Sequence, residues 1–308
     1  MNEYLDLARQ GKNDWWRFLL AILSILIAWQ VVGAVPTVLL LLWTVFDSNP
    51  ASSLSLDGTF NGVEVSVSFV AFMLASWAFL AGIFLAVRFI HQRRFLTLVT
   101  SSRSLDWKRL FQGFAVWFGL AALVGIAEAL LYPGRYVWTL DLPRFLPFVF
   151  LALVLIPVQT SAEELFFRAY ILQGFGLRLR NIWVLSAISG FLFMLPHLLN
   201  PEAKLDYLLM SLYYFSIGSA AAYITLRDGR LELVLGMHAA NNLFTALFAN
   251  ATVTVMPTPS LFTVMELDVV YSTVASLFAI LIFVLLFVGP LRRKLSTPLS
   301  AENTMDSQ

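Results

Sequence analysis

Long apolar runs alternate with short polar segments along almost the whole chain. Eight of the runs are long enough to cross about 30 Å of hydrocarbon. They lie at 16–46, 66–90, 110–132, 145–167, 182–199, 207–226, 231–250 and 268–290. Lipid leaves a backbone no partners but its own, so each run is predicted to be a helix. Pro36 predicts a tilt or a break within the long first run. The expected fold class is all-α: a polytopic membrane protein, a bundle of about eight transmembrane helices. These form one domain over 1–295, and the polar stretch 296–308 reads as a disordered tail. No internal repeat or second domain is visible.

The basic residues are sorted by loop. Arg9, Lys12 and Arg17 precede the first run, and Arg88, Arg93, Arg94, Arg103, Lys108 and Arg109 lie between the second and third. Arg168, Arg178 and Arg180 follow the fourth, Arg227 and Arg230 lie between the sixth and seventh, and Arg292, Arg293 and Lys294 follow the eighth. The opposite loops hold only Arg135, Arg144 and Lys204. The positive-inside rule then places both termini in the cytoplasm. Trp15, Trp16, Trp107, Trp138 and Trp183 fall near segment ends, as an interfacial belt requires. The basic loop 91–109 is expected to set orientation and touch anionic lipid. His91, among its arginines, is expected to be solvated.

Composition agrees and removes other classes. Apolar residues make up 59% and charged ones 13% of 308 residues, against about 25% charged in soluble domains. There is no cysteine, which removes disulfides, thiolate metal sites and thiol catalysis. The net charge of +1, with no basic domain, gives no sign of nucleic-acid binding. The first 14 residues are polar and mixed in charge and do not resemble a cleavable signal.

Ionised groups at membrane depth are expensive, so they are paired, turned inward or functional. Ser161-Ala162-Glu163-Glu164-Leu165-Phe166-Phe167-Arg168 places two carboxylates and an arginine at the end of the fourth run. Glu164 and Arg168 are four apart and can pair, while Glu163 points about 100° away. His197, in Phe193-Met194-Leu195-Pro196-His197, lies in the fifth run, and His238 and Asn242 share one face of the seventh. Each has a purely structural alternative: interhelical hydrogen bonding for His and Asn, an ion pair for Glu163-Glu164-Arg168. Tyr213, Tyr214 and Tyr223 read as aromatic core, Asn241 as a packing or hydrogen-bond anchor, and Gly218 with Ala222 as a close-approach step.

Together these groups form a chemical set. A carboxylate in an apolar cavity can take a proton from water. A neighbouring histidine can orient the water, and Asn and His can donate to a developing oxyanion. The alternative chemistry is a divalent metal such as zinc, held by Glu163, His197 and His238.

The three motifs Glu163-Glu164-xxx-Arg168, Phe193-xxx-His197 and His238-xxx-Asn242, in that order, resemble the signatures of the CPBP family. These are the CaaX protease and bacteriocin-processing intramembrane proteases, also called the abortive-infection family, related to type II CaaX prenyl endopeptidases. The resemblance implies an intramembrane endopeptidase in which Glu163 activates water beside His197, and His238 and Asn242 form the oxyanion hole. Glu164 and Arg168 would be a supporting ion pair and Phe193 a positioning residue. It implies a membrane-embedded or lipidated substrate. Its mechanism is described both with and without a metal. The metal-free form is favoured here, because with no cysteine and two buried histidines a ligand set would need carboxylates already used otherwise, and zinc stays the alternative. The expected location is a prokaryotic cell membrane. The rival readings are a non-catalytic immunity or scaffold protein and a proton- or cation-coupled transporter.

One expectation conflicts with this assignment. The segment bounds place Glu163 near the cytoplasmic end of its span, and His197 roughly 20 Å up the next one. The two meet only if Pro157 and Pro196 bend their helices or the bounds lie elsewhere.

Overall fold

The computed structural model describes residues 2–55 and 59–290. All eight predicted runs are helical: α1 (Trp15–Phe46), α2 (Val65–Ile90), α3 (Trp107–Leu131), α4 (Leu142–Gly176), α5 (Ile182–His197), α6 (Tyr207–Asp228), α7 (Glu232–Leu247) and α8 (Val269–Phe287). Among the described residues six of them, all but α5 and α7, are long and apolar enough to cross a membrane. The chain is a multi-pass helical membrane protein. Eight helices stand where eight runs are expected, and two of them, α5 and α7, are shorter than the rest at 16 residues each. That is about 24 Å of rise, short of the hydrocarbon thickness. The reason is visible in α7, where Leu233, Val234, Met237, Ala240 and Leu243 are all buried. Its polar groups meet protein rather than lipid, which is where polar groups at membrane depth are tolerated. The stretch 296–308, with Arg292, Arg293 and Lys294, lies outside the described residues.

Two helices depart from regular geometry where the sequence says they must. α1 runs as α-helix to Ile27, widens to a π-turn over Ala28–Val32, and restarts at Val35 with Pro36 in its first turn. Proline fits there because the first-turn N–H groups have no partner anyway. α4 passes from α-helix into a π-segment over Leu165–Ile171, directly after the two glutamates. It continues to Gly176, so the predicted end at 167 fell short.

This corrects the depth conflict. The turn 177–181 joins α4 to α5, and Asn181 caps α5 by accepting from the Trp183 and Val184 N–H groups. Glu163 lies thirteen residues before the end of α4 and His197 fifteen residues after the start of α5. At 1.5 Å per residue both stand roughly 20 Å from the same turn. The two motifs therefore meet at one level.

Small residues let the helices of the site approach closely. A Cβ on Gly190 would lie 2.7 Å from the Ser219 backbone nitrogen and 2.8 Å from the Phe215 carbonyl oxygen, both on α6. Gly218 meets Gly190 from the other side: a Cβ on Gly218 would lie 2.9 Å from the Gly190 Cα. On α7, a Cβ on Gly236 would collide with the Leu110 carbonyl of α3. Gly190→Ala is accordingly expected to destabilise the protein by about 1–3 kcal/mol through overpacking. The control is Gly119→Ala, which meets nothing within 4 Å. Melting temperatures of the two variants in one detergent check the difference.

The polar end opposite the α4–α5 turn carries elements that the helical pattern did not predict. A two-stranded hairpin, β1 (Ser53–Leu54) and β2 (Phe60–Asn61), sits in the loop after α1. A three-stranded sheet joins β3 (Tyr136–Trp138), β4 (Ala249–Ala251) and β5 (Phe262–Val264), with β5 central, antiparallel to β3 and parallel to β4. Strands of two or three residues are too short to show a period.

At the other end the mixed-charge N-terminus is packed rather than loose. Tyr4 is fully buried and its hydroxyl donates to the carbonyls of Leu98 (2.6 Å) and Arg168 (3.3 Å). The expectation that His91 is solvated is also overturned: it is 1% exposed. Nδ1 lies 2.8 Å from the Lys12 carbonyl and Nε2 2.9 Å from the Tyr170 hydroxyl. A carbonyl can only accept, so Nδ1 carries the proton and Nε2 accepts from Tyr170. The neutral ring is thus fully bonded. Burial holds the His91 pKa below its ordinary 6.5, and Arg93 and Arg17 push the same way against the Lys12 hydrogen bond. The unfolded chain then binds more protons, so stability rises with pH in this window. The His91 contribution is complete above about 6.5 and lost as pH falls below it. We expect the melting temperature to drop between pH 7 and 5, and His91→Gln to flatten that slope.

Candidate active site

The seven residues singled out in the motifs, Glu163, Glu164, Arg168, Phe193, His197, His238 and Asn242, line one cavity of about 550 Å³ between the helices. α4 contributes the carboxylates and the arginine, the end of α5 contributes Phe193 and His197, and α7 contributes His238 and Asn242.

Glu164 and Arg168 form the predicted ion pair at 2.9 Å, with each side chain only 1% exposed. The guanidinium carbon stands 3.9 Å from the centre of the Phe193 ring, a cation–π contact in a desolvated setting. Glu164 Oε1 also lies 2.7 Å from His238 Nδ1, which donates to it. One carboxylate oxygen thus orients both Arg168 and His238. The other His238 nitrogen, Nε2, stands 3.8 Å from Glu163 Oε2. Only the doubly protonated ring presents a proton to both carboxylates.

Glu163 is held by a group the sequence reading missed. Gln159, one turn earlier on α4, donates to Glu163 Oε1 at 2.6 Å. Its own carbonyl accepts from Asn242 Nδ2 at 3.0 Å. Asn242 Oδ1 accepts from Asn241 Nδ2 at 3.1 Å, and Asn241 Oδ1 accepts from the Trp117 indole at 3.1 Å. An indole can only donate and an ionised carboxylate can only accept. The two ends therefore fix every amide orientation between them, and the chain runs in one direction from Trp117 to Glu163 across α3, α7 and α4. Its product is a carboxylate with one anchored oxygen. The other, Oε2, is buried with no hydrogen-bond partner among the described residues.

His197 makes no direct hydrogen bond to Glu163 and is held instead by its own helix. Its Nδ1 donates to the Phe193 carbonyl at 2.7 Å, which leaves the Nε2 lone pair for the cavity when the ring is neutral. The ring packs against Phe193 at 4.2 Å and Tyr214 at 4.7 Å between centroids. Phe193 also faces His238 at 6.1 Å, so it separates and orients both histidines. Tyr214, read as core, and Glu202, not singled out, also line the cavity. The missing signal for Gln159 was its place four residues before Glu163 on the same helix face of an apolar run. Trp117, Tyr214 and Glu202 carry no comparable mark.

Among the described residues no group of three or more His, Asp or Glu side chains is arranged to hold a metal ion. The polar atoms form a site suited to proton transfer: a buried acceptor oxygen, a histidine lone pair and amide and imidazole donors around one space.

The same segment of the chain matches a known protein family. A family model described as type II CAAX prenyl endopeptidase Rce1-like matches residues 143–244, which span α4 to α7 and contain all seven residues. The chain is also 35% identical over 260 residues to the uncharacterized protein YyaK of Bacillus subtilis (strain 168), covering 83% of this chain and 85% of that protein. No solved structure matches the chain.

Proposed function

The chain belongs to the Rce1-like family of type II CAAX prenyl endopeptidases, and from that premise we propose that it is an intramembrane endopeptidase that uses a glutamate-activated water. The observation that carries this reading is Glu163. One of its oxygens ends the hydrogen-bond chain from Trp117, and the other is buried beside the cavity without a hydrogen-bond partner among the described residues. In water a carboxylate gains nothing from such an arrangement. Within a desolvated cavity it holds a base in one orientation toward a reacting molecule.

In the proposed reaction Glu163 Oε2 takes a proton from a water molecule, and the resulting hydroxide adds to the carbonyl carbon of the scissile peptide. His197 Nε2 accepts from the same water and fixes its orientation. The carbonyl oxygen becomes an oxyanion, which receives hydrogen bonds from His238 Nε2–H and the remaining Asn242 amide proton. The C–N bond then breaks, and the proton held on Glu163 passes to the leaving amine nitrogen. No covalent intermediate with the enzyme is formed. Glu164 and Arg168 act by holding His238. The substrate is a membrane-embedded or lipidated peptide, because the cavity lies between apolar helices. We place both termini on the cytoplasmic side, from the basic loops, and the protein in a prokaryotic cell membrane.

The test compares peptide termini across the membrane proteome of cells carrying wild-type protein or Glu163→Gln at equal levels. Termini that appear only with wild type support the hydrolase and identify its substrates. Identical termini would reassign Glu163 to a structural role in a non-catalytic membrane protein.

A further inference from the structure

On the wall of the cavity stands a carboxylate that the mechanism does not use. Glu202 lies in the 3₁₀ turn Pro201–Leu205 that follows α5. Its Oε1 accepts from the Tyr214 hydroxyl at 3.0 Å and from Asn200 Nδ2 at 3.2 Å. Asn200 Nδ2 also reaches the Tyr214 hydroxyl at 3.3 Å. Its Oε2 accepts from the backbone N–H of Val255 at 3.1 Å. One side chain therefore joins two parts of the site. The first is the ring of Tyr214, which packs on His197 at 4.7 Å. The second is the loop between β4 and β5, whose Thr254, Val255 and Met256 line the cavity.

That loop is braced internally. Asn250 donates to the Met256 carbonyl at 3.1 Å, and Thr258 donates to the Ala246 carbonyl at 2.7 Å. Glu202 ties the loop to the turn after α5 through the Val255 N–H. Glu202 also stands on the wall between the main cavity and a second one of about 250 Å³, which Tyr214 and Thr254 line as well. A carboxylate is suited to this place because its two oxygens accept from two directions at once, which an amide cannot do.

We propose that Glu202 is a positioning residue that latches the 252–261 loop over the cavity and, through Tyr214, sets the ring of His197. Its role as a positioning residue rests on the hydrolase reading; the latch itself does not.

The sequence makes the test direct. The chain has no cysteine and only three histidines. A single Met256→Cys therefore reports opening of the loop by its rate of reaction with a hydrophilic maleimide in detergent. Histidine labelled with nitrogen-15 gives three ring environments by magnetic resonance. Glu202→Gln keeps the volume but retains one accepting oxygen. Loss of one hydrogen bond to a charged acceptor predicts a rise in labelling of about tenfold, together with a shifted His197 signal. Tyr214→Phe cuts only the Tyr214 arm and leaves the Val255 arm in place. It is expected to shift the His197 signal while leaving labelling within about threefold of wild type. An unmoved His91 signal shows that the fold persists in each variant. Unchanged labelling and an unmoved His197 signal in Glu202→Gln would overturn the proposal, and so would a His197 signal indifferent to Tyr214→Phe. Neither readout contains turnover. A failed cleavage test at Glu163 thus leaves the latch standing, and a failed latch leaves the hydrolase reading standing.

Discussion

Glu163→Gln is expected to lower the cleavage rate by about two to four orders of magnitude, the usual contribution of a positioned general base, while leaving the melting temperature unchanged or slightly raised. The two halves of this expectation come from different oxygens. Oε1 accepts from Gln159 at 2.6 Å, and a glutamine carbonyl in the same place accepts equally well, so the chain back to Trp117 survives. Oε2 is buried without a hydrogen-bond partner. Neutralising that oxygen relieves part of its desolvation cost and gives up only the 3.8 Å approach of His238 Nε2, so the neutral amide is about as stable there. What is lost is the basic oxygen. Stability that holds or rises while activity disappears is the behaviour of a residue kept for chemistry rather than packing. Glu164→Gln should behave differently, losing stability and cleavage together, because Glu164 Oε1 holds both Arg168 and His238. The measurement is turnover of a substrate found from the terminal peptides, alongside a detergent melt of the same preparation. Cleavage within about threefold of wild type in Glu163→Gln would remove the general-base role.

Part of this site was readable without coordinates, and the reason is physical. Lipid forces backbone groups to pair within a helix, so all eight helical runs are visible as apolar stretches. Lipid also makes ionised side chains conspicuous, and Glu163, Glu164, Arg168, His197 and His238 stand out within those runs. Segment ends are less visible. The extension of α4 to Gly176 passes through Arg168, Gln173 and a π-turn, which read as the exit from the membrane. That misreading separated Glu163 from His197 by a distance that the hairpin geometry removes. Residues whose role depends on a partner far along the chain were not readable at all. Trp117 looks like any core aromatic until Asn241 is found beside its indole, 124 residues away. Glu202 looks like a loop acid until the Val255 N–H arrives from 53 residues further on. His91 looks solvated among arginines until Tyr170 and Lys12 close over it.

Arg168→Met should be the most destabilising single change in the site, costing about 3–5 kcal/mol, as is usual when one partner of a buried ion pair is removed. Methionine fills most of the volume, so the loss is electrostatic rather than a cavity. Glu164 would remain 1% exposed with only the His238 Nδ1–H to balance it, and its Oε2 already lacks a hydrogen-bond partner. The contact of the guanidinium with Phe193 at 3.9 Å would go as well, loosening the ring that orients both histidines. Arg168→Lys keeps the charge but places it as a point on a flexible stem, without the planar group that lies over Phe193. It is expected to recover part of the stability and little of the cleavage. The decisive variant is the double one, Arg168→Met with Glu164→Gln. If the cost is an uncompensated buried charge, neutralising Glu164 restores much of the lost stability, since buried ion pairs can often be replaced by neutral packing at little cost. The two changes are then strongly non-additive in a double-mutant cycle of melting free energies. Cleavage stays low in the double variant, because His238 has lost the carboxylate that oriented it. Additive destabilisation would instead show that Arg168 acts through packing on Phe193 and that the ion pair with Glu164 is incidental.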